Sequence, residues 1–263
     1  MSSQKESTVR TLTVALLVCL VCSVFVAGAA VALRPTQLEN RQLDKQRSIL
    51  AIAGLGQAGM SGQDIRELFE ARIVPRLVDL ETGTFSDEYD PIAYDPLVAA
   101  KDPDLSKAIP PSEDIASIKR RERYSTVYLV QDEQGELQTA VIPVRGYGLW
   151  STLYGFIAIE GDLNTVEGLG FYQHGETPGL GGEVDNPRWR SQWEGKQLFD
   201  ENGELEIEIV KGGVDPQSAE AVHQVDALAG ATLTSNGVNN LLHYWLGEDG
   251  FGPFIANLRA GEA

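Results

Sequence analysis

The chain has 263 residues, with 21 basic against 38 acidic side chains, a formal charge of -17 and a pI of about 4.5. A surface this acidic repels a phosphate backbone, which excludes nucleic acid as a partner. A hydrophobic share of 43% and an aromatic share of 8% exclude a disordered chain, and the length allows one good-sized soluble domain.

From Thr11 to Leu33 no charge interrupts a run dominated by Val, Leu, Ala and Cys. As a helix it would measure about 34 Å, enough to cross a hydrocarbon core of about 30 Å. Lys5 and Arg10 precede the run, and Arg34 and Pro35 end it. A cleavable signal peptide is the alternative, since Ala27-Gly28-Ala29 and Ala30-Val31-Ala32 resemble cleavage sites. The apolar core of such a peptide is usually about 7–15 residues, so an uncleaved anchor fits better. In either case the chain after residue 33 is expected across the membrane. The distribution of positive charge does not decide this, because Arg34, Arg41, Lys45 and Arg47 lie on the far side. Both cysteines, Cys19 and Cys22, fall inside the apolar run, where they read as small packing residues rather than a redox pair. The remaining chain therefore has neither a disulfide nor a thiolate metal site.

Thr36 to about Ala53 is polar and helix-forming, and reads as a stalk. Gly54-Leu55-Gly56-Gln57-Ala58-Gly59 matches G-x-G-x-x-G, but that dinucleotide fingerprint needs a preceding strand, and here a helical pattern precedes it. It reads better as a glycine helix stop. Ser61 with Asp64 is a capping-box variant, opening a helix whose apolar face is Ile65, Leu68, Phe69 and Ile73. Residues 82–120, rich in Asp, Pro, Lys and Ser, are expected to form a long ordered loop with short helical pieces.

From Tyr124 the apolar period becomes two. Tyr124–Gln131 and Leu137–Val144 read as strands of a hairpin closed by Asp132-Glu133-Gln134-Gly135-Glu136. Thr152–Glu160 and Thr165–Tyr172 repeat the pattern around Gly161-Asp162, and Leu205–Ile209 alternates after the turn Asp200-Glu201-Asn202-Gly203. Val238, Leu241, Leu242 and Trp245 then fall at i, i+3, i+4, i+7 of a helix. The expected fold is α+β, a mainly antiparallel sheet with flanking helices, preceded by one N-terminal transmembrane helix. The expected divisions are a short cytoplasmic N-terminus (1–10), the transmembrane helix (11–33), a helical stalk and linking region (34–120) and a binding domain (121–263).

Asp226-Ala227-Leu228-Ala229-Gly230-Ala231-Thr232-Leu233-Thr234-Ser235 carries the chemistry. Its small residues allow close approach to the backbone, and Thr234 or Ser235 is the expected N-cap of the helix. A helix N-terminus attracts phosphate, and the Thr232 hydroxyl would sit beside it. A tight turn into a capped helix with nothing bound accounts for these residues equally well.

The segment resembles the site D-x-x-(S/T)-G-A-T of the covalent FMN-binding domain family, in which the final Thr accepts FMN. Asp226, Gly230, Ala231 and Thr232 match, while Ala229 stands where Ser or Thr is usual. Gly146–Ser151, His174–Gly181 and Val210–Gly213 resemble the family's other motifs. With the anchor, the stalk and the ending Tyr244–Phe254, the similarity is strongest to the C subunits of Na⁺-translocating NADH:quinone reductases. The related G subunits of Rnf ferredoxin:NAD complexes share the core.

The resemblance implies FMN bound to Thr232 by a phosphoester, installed from FAD by a flavin transferase on the outer face of a bacterial inner membrane. It implies an electron carrier between an iron–sulfur centre and another flavin. The implied partners are membrane lipid and the other subunits of the reductase, which oxidise NADH, reduce quinone and move sodium; the isolated chain should catalyse nothing. The site around the cofactor would comprise Asp226, Gly230, Ala231, Thr234 and Ser235 near the phosphate. Trp150, Leu180 and Gly181 would lie at the ring, Glu176 and Thr177 would supply polar contacts, and Lys211 would offset charge. Each has a plainer role open to it: Trp150 as core, Leu180 as loop packing, Glu176 as a turn holder, Lys211 as a solvated strand end. His223 and His243 read as surface residues, and no histidine shows metal-ligand spacing, so no metal is assigned. An unflavinylated scaffold and an independent anchored flavin reductase remain the other readings, the second weakened by the lack of a nucleotide fold.

Overall fold

The computed structural model describes residues 8–57, 59–132 and 134–263. Lys5 in the short N-terminal segment, Ala58 in the glycine-rich stop and Glu133 in the first hairpin turn lie outside the described residues. The chain divides into a first unit ending at Asp44 and a second covering Lys45–Ala263. One helix, α1 (Thr8–Ile52), runs through Pro35. It is long and apolar enough to cross a membrane, and its large apolar side chains from Val9 to Leu33, such as Phe25, are exposed.

Within the second unit, α1 ends where its sequence suggested. Leu55 and Gly56 both donate backbone N–H groups to the Leu50 carbonyl at 2.9 Å, and Gly54 has φ +64°. A left-handed glycine that closes the last carbonyls is a helix stop and leaves no βαβ unit for a dinucleotide. Helix α2 (Gly62–Arg72) opens with the expected capping box between Ser61 and Asp64.

Ile73, expected on the apolar face of α2, instead begins β1 (Ile73–Asp79), where the β-branched run Ile73-Val74 and Val78 pairs with a central strand. Residues 82–120 are not a loop with helical pieces alone. They hold β2 (Thr84–Ser86), the short helix α3 (Pro96–Ala99), β3 (Ser106–Ala108) and the start of β4 (Arg120–Glu122). Periodicity misses three-residue strands because two turns of the pleat carry no statistics.

The meander follows as read: β5 (Tyr124–Gln131), β6 (Leu137–Tyr147), β7 (Thr152–Glu160) and β8 (Val166–Gln173). Among the described residues these join β1 and β2 in a six-stranded, wholly antiparallel sheet in the order β2-β1-β5-β6-β7-β8. The short helix α4 (Pro187–Arg190) comes next. The alternating segment Leu205–Ile209 contributes only β9 (Glu208–Val210), and its partner β10 (Gln224–Asp226) runs parallel to it, apart from the main sheet. Helices α5 (Thr232–Leu246) and α6 (Gly252–Ala260) close the chain.

The sheet is covered on both faces. Val238, Leu241, Leu242 and Trp245 of α5 are buried, and Leu241 lies so near Gly146 that a Cβ there would stand 2.5 Å from its own. On the opposite face Ile49, Leu50 and Ile52 are buried, and Ile52 approaches Gly168 and Gly170 closely. Lys45 rests over the rings of Tyr128 and Phe156 at 5.3 and 5.9 Å, covering the sheet with its stem. Because β5 to β8 are buried on both sides, their apolar runs exceed strict alternation.

Candidate functional site

Helix α5 begins at Thr232, not near Thr234 or Ser235 as the sequence led one to expect. Its N-cap is Ala231 (φ -124°, ψ 49°), and no side chain caps it. Ser235 donates its hydroxyl to the Ala231 carbonyl at 3.1 Å and accepts the Leu228 N–H at 3.0 Å, so it ties down the preceding turn. Thr234 is fully buried, and its hydroxyl donates to Glu176 at 2.7 Å. Both hydroxyls are thus committed to other partners, which is why neither serves as cap. Thr232 is exposed at the first helical position. The leading N–H groups of an α-helix have no intrahelical acceptor, so an uncapped start presents donors and a positive dipole end beside that hydroxyl.

Glu176 organises the neighbourhood. Only 5% exposed, it accepts N–H groups from Leu149 (3.1 Å), Trp150 (3.0 Å) and Ser151 (3.2 Å) on Oε1, and the Thr234 hydroxyl on Oε2. Burial alone would raise its pKa, but the bonds from Thr234, Trp150, Ser151 and Leu149 together hold the carboxyl below its usual range. The contribution of that ionised state is present above the ordinary carboxylate range and is lost as pH falls through the lowered value.

His174 stands two residues earlier. Its Nε2 lies 2.8 Å from Asp185, a bond that raises the imidazole's pKa, and its Nδ1 accepts the Glu176 N–H at 3.2 Å. The turn from Thr177 to Gly182 is closed by N–H groups of Leu180 and Gly182 on the Thr177 carbonyl.

These contacts bring most of the expected site residues together. Trp150 and Thr234 share one carboxylate, and a Cβ at Gly230 would lie 3.3 Å from Leu180. Gly181 admits both Thr234 and Glu176 to its bare Cα face. Trp150 (66% exposed), Leu180 (45%) and Leu233 (58%) are open to solvent. Trp150 is therefore not a core aromatic, and Leu233 and Leu149, which sequence reading passed over, join it as exposed apolar side chains. Their signal was adjacency to the motif residues, without a periodicity to mark them.

Asp226 and Lys211 sit elsewhere. The Asp226 carboxylate accepts the Val214 N–H at 2.7 Å, securing the turn through Gly212 and Gly213, whose φ values are +92° and +93°. Its carbonyl accepts the Trp189 indole N–H at 2.8 Å. Lys211 is exposed at the end of β9, and no hydrogen bond or ion pair among the described residues joins it to the Glu176 cluster. His223 and His243 are part-buried rather than on the surface; their rings pair with the carbonyls of Gln197 and Ile207 at 2.8 Å.

Residues 148–247, from the Trp150 turn to the end of α5, match the family model described as FMN-binding domain. Over 261 residues the chain is 71% identical to the C subunit of the Na(+)-translocating NADH-quinone reductase of Pseudomonas aeruginosa, covering 99% of this chain and 100% of that one. It belongs to the family of these C subunits. The Vibrio alginolyticus relative of the same name is 50% identical, with 100% and 99% covered. Among solved structures, Shewanella oneidensis NqrC superposes with a TM-score of 0.74 at 40% identity, covering 82% of this chain and 96% of the other. The Parabacteroides distasonis counterpart gives 0.65 at 28%, covering 85% and 96%. The α+β fold with one long apolar N-terminal helix is thus that of the C-subunit family, and the relatives belong to an oxidoreductase complex.

Proposed function

We propose that the chain is the membrane-anchored, FMN-carrying electron-transfer subunit of a Na⁺-translocating NADH:quinone reductase, with the flavin bound to Thr232 through a phosphoester. The observation that carries this reading is Thr232 itself: an exposed hydroxyl on the first residue of a helix with an uncapped N-terminus, followed by the exposed Leu233 and two residues after Gly230, whose bare Cα faces the exposed Leu180. Helix donors suit a phosphate, and the apolar side chains suit a flat aromatic ring. Attachment would join the Thr232 oxygen to the FMN phosphorus of FAD, break the bond between its two phosphates, and release AMP and the threonine proton. A flavin transferase would catalyse this on the periplasmic side of the inner membrane.

When bound, FMN supplies reversible uptake and release of electrons. The chain's own residues hold and orient it. Thr232 would tether it, the α5 N–H groups would offset phosphate charge, and Trp150 and Leu180 would offer apolar contacts to the ring. Electrons would come from an iron–sulfur centre and pass to another flavin of the complex, and the sister subunits would oxidise NADH, reduce quinone and export sodium.

Peptide mass mapping of chain co-expressed with the transferase should find one FMN, less water, on Asp226–Ser235. Flavin on Thr234 with Thr232 bare would overturn the assignment. Protease added to spheroplasts should degrade the region after Leu33, and protection until lysis would reverse the proposed orientation. Trp150→Ala and Leu180→Ala should each keep the covalent flavin but change its visible spectrum or potential. A lost ring contact is worth about 1–3 kcal/mol, so an unaltered spectrum and potential in both variants would remove these side chains from the site.

A further inference from the structure

The expected polar contact at Glu176 has a different place in the structure: its carboxylate faces inward, against the backbone of Leu149–Ser151 and the side chain of Thr234, which are far apart in sequence. We infer that Glu176 is a positioning residue that clamps the Gly148–Ser151 turn to the first turn of α5 and so sets the gap between Trp150 and Thr232. The inference rests on the FMN reading above for what the gap would receive.

Oε1 gathers three consecutive N–H groups, those of Leu149, Trp150 and Ser151, and Oε2 takes the Thr234 hydroxyl two residues beyond Thr232. Four donors on a 5%-exposed carboxylate leave no good lone pair for a ligand. Two glycines clear the space the carboxylate fills. A Cβ at Gly148 would stand 2.7 Å from Oε1, and one at Gly181 would stand 2.7 Å from Oε2 and collide with the Thr234 hydroxyl oxygen. A third glycine lets the clamped parts touch, since a Cβ at Gly237 of α5 would lie 2.5 Å from the Tyr147 carbonyl and 2.9 Å from the Gly148 Cα. The Ser151 hydroxyl adds a second tie by accepting the Gly175 N–H at 2.6 Å. Glycines at these positions therefore serve the close approach of turn, carboxylate and helix.

The geometry separates shape from charge. In Glu176→Gln the amide oxygen can keep the three N–H bonds while its NH₂ donates to the Thr234 oxygen, so the clamp survives and the charge is lost. Glu176→Ala removes the whole clamp, and Thr234→Val cuts only its link to α5. Two readouts on the full chain in detergent test this. In flavin-free chain, amide exchange at Leu149, Trp150 and Ser151 should speed by about tenfold or more in Glu176→Ala and stay near wild type in Glu176→Gln. With transferase and FAD, the initial rate of flavin incorporation should fall by about tenfold or more in Glu176→Ala, because misplacement of a reacting group by about 1 Å is that costly. Thr234→Val should fall in the same direction; it deletes one bond, so it carries the test if Glu176→Ala does not fold. Wild-type exchange and incorporation in Glu176→Ala, or wild-type incorporation in Thr234→Val should the first fail to fold, would overturn the clamp. So would a flavin potential shifted by Glu176→Gln as far as by Glu176→Ala, which would assign the carboxylate's charge a direct effect on the ring. A wild-type chain that takes up no flavin would defeat the FMN reading instead, and the exchange result would still stand on its own.

Discussion

Thr232→Leu is expected to give a folded protein with no covalent flavin after co-expression with the transferase, while Ser235→Ala retains it. The loss should be complete, because no phosphoester can form on a side chain without a hydroxyl. The fold should hardly notice. Thr232 is exposed and makes no side-chain hydrogen bond among the described residues, so its replacement belongs with surface changes of about 0.5 kcal/mol or less. Neither neighbour offers an easy second acceptor. Thr234 is fully buried and Ser235 only 2% exposed, and both hydroxyls already have partners. Intact mass and in-gel flavin fluorescence give the occupancy, and far-ultraviolet circular dichroism gives the fold. A fluorescent, FMN-shifted Thr232→Leu chain would place the attachment elsewhere.

The second large effect is one of stability. Arg145 on β6 and Glu122 on β4 form a two-pronged ion pair, at 2.8 and 2.6 Å, with Glu122 1% and Arg145 9% exposed. The guanidinium also lies 4.9 Å from the Trp245 ring centre, and the Trp245 indole N–H donates to the Arg145 carbonyl at 2.7 Å. Arg145→Met keeps most of the stem but leaves the Glu122 carboxylate buried with no cation. Removing one partner of such a pair costs about 3–5 kcal/mol, whereas replacing both by apolar residues is often neutral. The single variant should therefore unfold at much lower denaturant concentration, and Glu122→Leu with Arg145→Met should recover a large part of the loss. Denaturant unfolding of the full chain in detergent measures both, and the difference forms a double-mutant cycle. An Arg145→Met chain within about 1 kcal/mol of wild type would show that the pair does not hold β6 to β4. The pair matters to the site because β6 ends at Tyr147, where the clamped turn begins.

The features legible along the chain are those whose cause is local. An uncharged run reveals a helix able to cross a membrane, alternation reveals the β5–β8 meander, and spacing of three and four reveals the buried face of α5. Ser61 with Asp64 and the glycines after Ile52 mark the end of α1 and the start of α2, because capping is settled within a turn of chain. What stayed hidden has distant causes. The start of α5 shifts to Thr232 because Thr234 is drawn to a carboxylate 58 residues away and Ser235 turns back to brace Leu228. Ile73 leaves its helix because β5 offers it a partner 57 residues later, Val130, and β9 finds its parallel partner β10 across an intervening turn and short helix, apart from the main sheet.

The long apolar helix, the antiparallel meander and the buried stripe of α5 could all be read from residue order, whereas the candidate attachment threonine rested on the resemblance of Asp226–Thr232 to the FMN-binding family's motif. Packing settled the rest: which hydroxyl is exposed, that Trp150 faces solvent, and that Glu176 turns inward to backbone and Thr234. The division follows the range of the forces involved. Side-chain periodicity reports which face of an element is buried, whereas the direction of a polar group depends on donors and acceptors that the folded chain brings from elsewhere.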